Sequence, residues 1–308
     1  MQNRRKFISQ SATLAIGGSL MSKALFANPA LAFKPRPLGL QLFTFFSSID
    51  QDVPGTLKKI KDAGYTEIES AFSRKGGYYG MSAKEFDKML RDMGLSWKSH
   101  HVTGAPFRMP ANAKPPVDAE GKPISIPPMR NLRDNYREII DELAEIKLPY
   151  LVCASTPIDT KDEVKASTDV LNMAAEAAKK AGITLAYHNH DREFKSVEDM
   201  IPYEYFLSQT SARVMKMELD LAWCMKGGAD PVALFKKHPG RFPLWHVKDI
   251  DKDGKIQPVG KGILDFKPIF EAAGKAGLKH IFVEHDFPAD AVASINESSV
   301  YINKNLNR

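Results

Sequence analysis

The sequence predicts a single (β/α)8 barrel on three observations: the length available to one domain, a repeated helix-to-strand phrase, and a gathering of histidines and carboxylates at the ends of the predicted strands. The chain has 308 residues, of which roughly 275 follow a distinct N-terminal segment, close to the usual size of such a barrel. The phrase is a helical stretch, a glycine, an apolar residue, a short apolar strand, then His or an acid. It runs from Gly64-Tyr65 to Glu69, from Gly94-Leu95 to His100-His101, from Gly182-Ile183 to His188-Asn189-His190, and from Gly277-Leu278 to Glu284. A glycine just past the last helical turn takes the left-handed conformation that lets the chain turn into the next strand.

The elements follow in order. Residues 1–32 open with Arg4-Arg5-Lys6 and continue through a short apolar run to Ala30-Leu31-Ala32, the layout of a twin-arginine export signal with a small-residue cleavage point. The expected location of the mature chain, residues 33–308, is therefore the periplasm. The apolar run falls short of the roughly 20 residues that span a bilayer, so no stable membrane insertion is expected. Losing residues 1–32 removes four basic groups and no acid, leaving 39 basic against 37 acidic groups, about +2 instead of +6. That balance offers no basic face for nucleic acid. Cys153 and Cys224, the only cysteines, fall in different strand-end regions and read as two buried thiols.

Strands are predicted near residues 38–44, 65–69, 97–102, 149–154, 184–188, 214–220, 243–247 and 280–284. Amphipathic helical patterns such as Leu57, Ile60 and Ala63, or Phe86, Met89, Leu90 and Met93, lie between them. Mostly apolar strands alternating with helices argue for a closed parallel sheet. A doubly wound open sheet is the alternative, but its dinucleotide version needs a glycine-rich phosphate loop after an early strand, and none is present. One connection is long: residues 103–128 hold seven prolines and follow the third strand, as a lid or rim insertion on the active face.

In such a barrel the chemistry sits at the C-terminal ends of the strands. His100, His101, His188, His190, His246 and His285 all fall there, with Glu69, Asp220, Lys248, Asp249, Glu284 and Asp286. Asp220, His246 and Glu284 end three consecutive strands and read as ligands of one divalent ion (Mn, Co, Zn, Fe or Mg), since imidazole nitrogen with carboxylate oxygen suits such metals. The fourth ligand comes from the fifth strand, where His188 and His190 share a face, and Glu218 is a rival because it shares parity with Asp220. Lys248 is placed to steady a developing enolate oxygen. Glu69, His101 and Trp223 are candidate substrate contacts, Trp223 as an apolar wall for a sugar ring. Each has a plainer reading: a strand-end Asp also caps helices, and an inward His or Trp also packs as core.

The ordered motifs Tyr187-His188-Asn189-His190-Asp191, Leu219-Asp220-Leu221-Ala222-Trp223, His246-Val247-Lys248-Asp249, Val259-Gly260-Lys261-Gly262 and Val283-Glu284 resemble the xylose isomerase-like TIM barrel superfamily, and within it exported proteins of the sugar phosphate isomerase/epimerase type. The resemblance covers nearly the whole mature chain. It implies a metal held by His188, Asp220, His246 and Glu284, with His188 standing where many members carry Glu. It also implies enediolate chemistry with His190 as base and Glu284 and Lys248 assisting. The expected substrate is a non-phosphorylated keto sugar or cyclitol, because no phosphate loop is present and sugar phosphates are scarce outside the cytoplasm. A lyase or hydratase acting on a keto sugar and a non-catalytic sugar-binding barrel are the rival functions. An endonuclease of the same fold would need more zinc ligands and a basic face.

Overall fold

The computed structural model describes residues 36–108 and 129–306, and from residue 37 onward they form one compact unit. The export-signal expectation for residues 1–32, and all of the proline-rich expectation beyond Arg108, lie outside the described residues. The eight barrel strands are β1 (Gly39–Gln41), β2 (Glu67–Ser70), β3 (Ser96–Thr103), β4 (Tyr150–Ser155), β5 (Thr184–His188), β6 (Met215–Asp220), β7 (Leu244–Val247) and β8 (His280–Val283). They close in the order β1-β8-β7-β6-β5-β4-β3-β2, every neighbouring pair parallel. Closure excludes the open doubly wound sheet.

The sequence forces this local structure by ordinary means. The helix Val53–Asp62 begins at Asp52, whose carboxylate accepts from Gly55 N. The helix Ala83–Asp92 begins with a reciprocal box between Ser82 and Glu85, and the helix Lys161–Lys180 begins at Thr160. The four glycines of the repeated phrase all have positive φ: 92° at Gly64, 71° at Gly94, 80° at Gly182 and 79° at Gly277. Side chains pointing outward from the strands pack against the helices in one large core. A smaller cluster inside the barrel, Val152, Ala186, Leu244 and Phe282, forms an apolar layer, while Glu67 and His280, which begin β2 and β8, pair at 2.7 Å. Gly39 makes room for it: a Cβ there would stand 2.5 Å from the Phe282 ring. Cys153 and Cys224 are both buried and free, and burial pushes the Cys153 thiol up to about 12. No described helix is long and apolar enough to cross a membrane.

Candidate metal and sugar site

Above the apolar plug the inward positions turn polar. Glu69 on β2, His101 on β3, His188 on β5, Glu218 and Asp220 on β6, and His246 on β7 converge with Lys248 and Glu284, which lie one residue past β7 and β8. All are buried except His101, which is nearly so. Ionised groups this far from water persist only when paired or holding a cation, and here they divide into two layers that share His246.

The upper layer is Asp220, His246 and Glu284, whose candidate ligand atoms lie within 4.8 Å of one another. His246 Nδ1 stands 2.7 Å from Glu284 Oε2 and 3.9 Å from Asp220 Oδ2. The Lys248 ammonium lies 2.6 Å from Glu284, 2.8 Å from Asp286 and 3.1 Å from Asp220. Asp220 serves two ends at once. Its Oδ1 accepts from Trp223 N at 2.8 Å and so caps the helix Leu221–Lys226, while Oδ2 is buried with no hydrogen bond. The 3.1 Å approach of Lys248 to that oxygen is a charge contact without hydrogen-bond geometry. Burial raises the Asp220 carboxyl above its ordinary value despite Lys248 and His246. Burial would also raise Glu284, but Lys248 and His246 outweigh it and hold that carboxyl far below the usual range. Burial disfavours the Lys248 charge, yet Asp220, Asp286 and Glu284 together push its pKa well up.

The lower layer groups His101, His188, Glu218 and His246. Glu218 Oε2 lies 2.7 Å from His101 Nε2 and 3.2 Å from both His188 Nδ1 and His246 Nε2. Glu69 Oε1 lies 2.5 Å from His246 Nε2, 3.1 Å from His101 Nε2 and 2.8 Å from Gln41 Nε2, and its other oxygen accepts from Ser99 Oγ. Burial and the nearby Glu69 raise Glu218 to about 7. Burial opposes protonation of His101, but Glu69 and Glu218 overcome it and carry the ring to about 9. Burial, followed by the ionisable groups around it, His246 foremost, drives His188 well below its ordinary value, so it stays neutral with a lone pair to offer. His188 Nδ1 and Glu218 Oε1 have no hydrogen-bond partner. The 3.2 Å approach of His188 to Glu218 also falls outside hydrogen-bond geometry.

His190 stands apart at the mouth, with 42 % of its side chain exposed. Its ring centroid is 5.0 Å from that of His188 and 6.0 Å from that of Trp223. The Trp223 ring has the Lys226 ammonium at 4.5 Å and Lys248 at 5.6 Å, and its Nε1 is buried with no partner. Of the six strand-end histidines, two turn away from the interior. His100 Nδ1 meets Ser70 Oγ at 2.7 Å among aromatic rings, and His285 Nδ1 meets Ser294 Oγ at 2.8 Å on the C-terminal helix. Glu69 sits fully enclosed, with both oxygens bonded to protein groups.

Four residues position the others: Gln41 and Asn189, which the sequence reading gave no role, and Asp249 and Asp286, which it placed at the strand ends without assigning them one. Gln41 orients Glu69. Asp286, two residues past Glu284 and so on the same face, pairs with Lys248. Asn189, between the two histidines, clasps the ends of β5 and β6: Asp220 N donates to its Oδ1 at 3.1 Å, and its Nδ2 donates to Asp220 O at 3.3 Å. Asp249 accepts from the backbone of Ile250, Gly260, Gly262 and Leu264 at 2.9–3.1 Å. The Gly260 and Gly262 N–H groups are thus taken by a carboxylate and are not free to cradle an anion.

Among curated proteins the chain is similar to inosose dehydratase of Geobacillus thermodenitrificans, 26% identical over 157 residues, 45% of this chain and 52% of that protein. The chain thus spans about half the length of the curated relatives it matches. Among solved structures it is similar to a sugar phosphate isomerase/epimerase from Parabacteroides distasonis, at 27% identity and a TM-score of 0.72, covering 91% of this chain and 98% of that one. The IOLI protein with a bound zinc atom shares the fold at 15% identity and a TM-score of 0.64, covering 86% of this chain and 96% of that one. Residues 57–300 match the family described as xylose isomerase-like TIM barrel, and the chain belongs to that family.

Proposed function

We propose that this protein is an exported, divalent-metal-dependent isomerase or epimerase of a non-phosphorylated keto sugar or cyclitol, acting through an enediolate. The observation that carries this reading is the buried triad of Asp220, His246 and Glu284, with Asp220 Oδ2 left without a hydrogen bond. One nitrogen and two carboxylate oxygens from adjacent strands suit a divalent ion. Asp220, His246 and Glu284 would hold it, and His188, whose ring centroid lies 4.4 Å from that of His246, would complete the set. A bound divalent ion would supply Lewis-acid polarisation of a sugar carbonyl, which would make the neighbouring carbon-bound proton more acidic.

The protein's own groups do the rest. Half-exposed His190 takes the proton, as an imidazole can near neutral pH. The Lys248 ammonium, fixed by Asp286, faces developing negative charge on the substrate oxygen, and protonated His190 returns its proton to the neighbouring carbon. Trp223 forms a wall beside His190 and offers its unpartnered Nε1–H to a hydroxyl. Asp249 occupies the Gly260 and Gly262 amides, which supports a substrate without phosphate.

A second reading, a lyase or hydratase using the same enolate with loss of a β-leaving group, draws support from the similarity to inosose dehydratase and from the neutral His188. Incubating metal-loaded protein in D2O with keto sugars, 3-keto-glycosides and inososes, followed by NMR, tests both. Solvent deuterium in a recovered isomer supports the first reading, and an unsaturated or cleaved product supports the second. No carbon-bound exchange with any substrate overturns the enediolate.

A further inference from the structure

Four phenylalanines stand on one side of the barrel mouth. Phe43 and Phe46 follow β1, Phe72 follows β2 and Phe287 follows β8, three strands that are neighbours in the closed sheet. Phe43 and Phe46 stack at 5.1 Å, Phe287 meets them edge-on at 5.2 and 6.2 Å, and Phe72 lies 6.0 Å from Phe46. Phe287 is 68% exposed, more than any other large hydrophobic residue among those described. Its backbone is left-handed, with φ of 50°, a conformation that bulky residues avoid and that persists where the surroundings impose it. Core packing accounts for neither the exposure nor the strain.

The wall is braced. The Arg74 guanidinium lies 5.2 Å from the centre of the Phe46 ring and is held by Asp50 at 3.3 Å, while the other Asp50 oxygen accepts from Ser73 at 2.7 Å. His285 N donates to Thr44 Oγ1 at 3.1 Å, tying the Phe287 segment to the turn that carries Phe43. The wall also adjoins the buried triad. Phe287 is three residues past Glu284 and one past Asp286, so with about 3.8 Å between successive Cα atoms its Cα lies within about 11 Å of that of Glu284. Asp220, His246 and Glu284 come from β6, β7 and β8, and Trp223 closes the β6 side. A molecule that reaches the triad therefore has Trp223 on one flank and the phenylalanines on the other.

We infer that the Phe43–Phe46–Phe72–Phe287 wall is a subsite for the apolar ring of an aryl glycoside whose sugar lies at the triad. Rigid hydrocarbon faces with offset and edge-on geometry suit an aromatic ring. The inference rests on reading the triad as a sugar site.

The test is calorimetric binding of phenyl and methyl glycosides of one sugar to the full chain, without turnover. Wild type should bind the phenyl compound about tenfold more tightly, the worth of one well-placed aromatic contact. Phe287→Ala, at an exposed position, should erase most of that difference and leave the methyl glycoside within twofold. Equal binding of the two by wild type, binding of neither, or an equal loss for both in the variant overturns the subsite. So does a wild-type dimer that Phe287→Ala turns to monomer with the preference unchanged, which would assign the wall to a second copy. A protein that prefers the phenyl compound yet exchanges no carbon-bound proton keeps the subsite and loses the proposed reaction. Exchange on free keto sugars without phenyl preference does the reverse.

Discussion

Along β7, Leu244 points into the lower half of the barrel and His246 into the upper. Phe282 and Glu284 do the same at β8, and Ala186 and His188 at β5. One step of two residues separates an apolar plug from a charged site, because side chains on a strand alternate and every second one faces inward. The Phe282 ring lies 6.3 Å from that of His246, so hydrocarbon forms the floor of the polar site. The difference teaches that stability and chemistry are stacked along the same strands and can be damaged separately.

The largest separation is expected at Asp220. Asp220→Asn keeps the shape and the helix-capping oxygen but removes the charge, and should lower kcat/KM by about 10³-fold or more, in line with losses of preorganised electrostatic groups. Its melting temperature should hold or rise, since the buried carboxyl is held above its ordinary pKa chiefly by burial. A variant that unfolds while the remaining folded fraction keeps its turnover would break the comparison. In the plug the expectation inverts. Phe282→Ala should cost about 3–5 kcal/mol in denaturant unfolding, with proton exchange per folded molecule much less affected.

The adjacent pair His100 and His101 sharpens the same contrast by pH. Burial holds outward-facing His100 down to about 3, so the unfolded chain binds a proton there first, and stability is lost as pH falls from about 6.5 towards 3. Inward-facing His101 is raised to about 9, so its contribution is fully present below about 6.5 and is lost as pH rises through 9. In metal-free protein, His100→Gln should flatten the acid limb of the melting curve and His101→Gln the alkaline one. Identical profiles for the two variants would refute the assignment.

The barrel was legible because its signal is local and repeated. Gly64, Gly94, Gly182 and Gly277 each mark a helix end, and each has the left-handed backbone that the phrase implies. Strand-end chemistry was legible by parity, which brought Asp220, His246 and Glu284 together. Parity also separates His285, which turns outward to Ser294, from Glu284 and Asp286, but it cannot say how deep a side chain reaches. His188 and Glu218 therefore fall in one layer with His101, while Asp220 and Glu284 fall in another. The clasp of Asn189 and the loop organised by Asp249 depend on contacts 31 and 11–15 residues apart, which no local pattern encodes.

Calorimetric titration of metal-free protein with Mn or Zn ions tests the central claim, that the upper layer is built to hold a divalent ion. Wild type should bind one equivalent, and Asp220→Asn and Glu284→Gln should each weaken it by at least about 100-fold, beyond the effect of losing a supporting residue. Binding unchanged in both variants, or no binding by wild type, would contradict it.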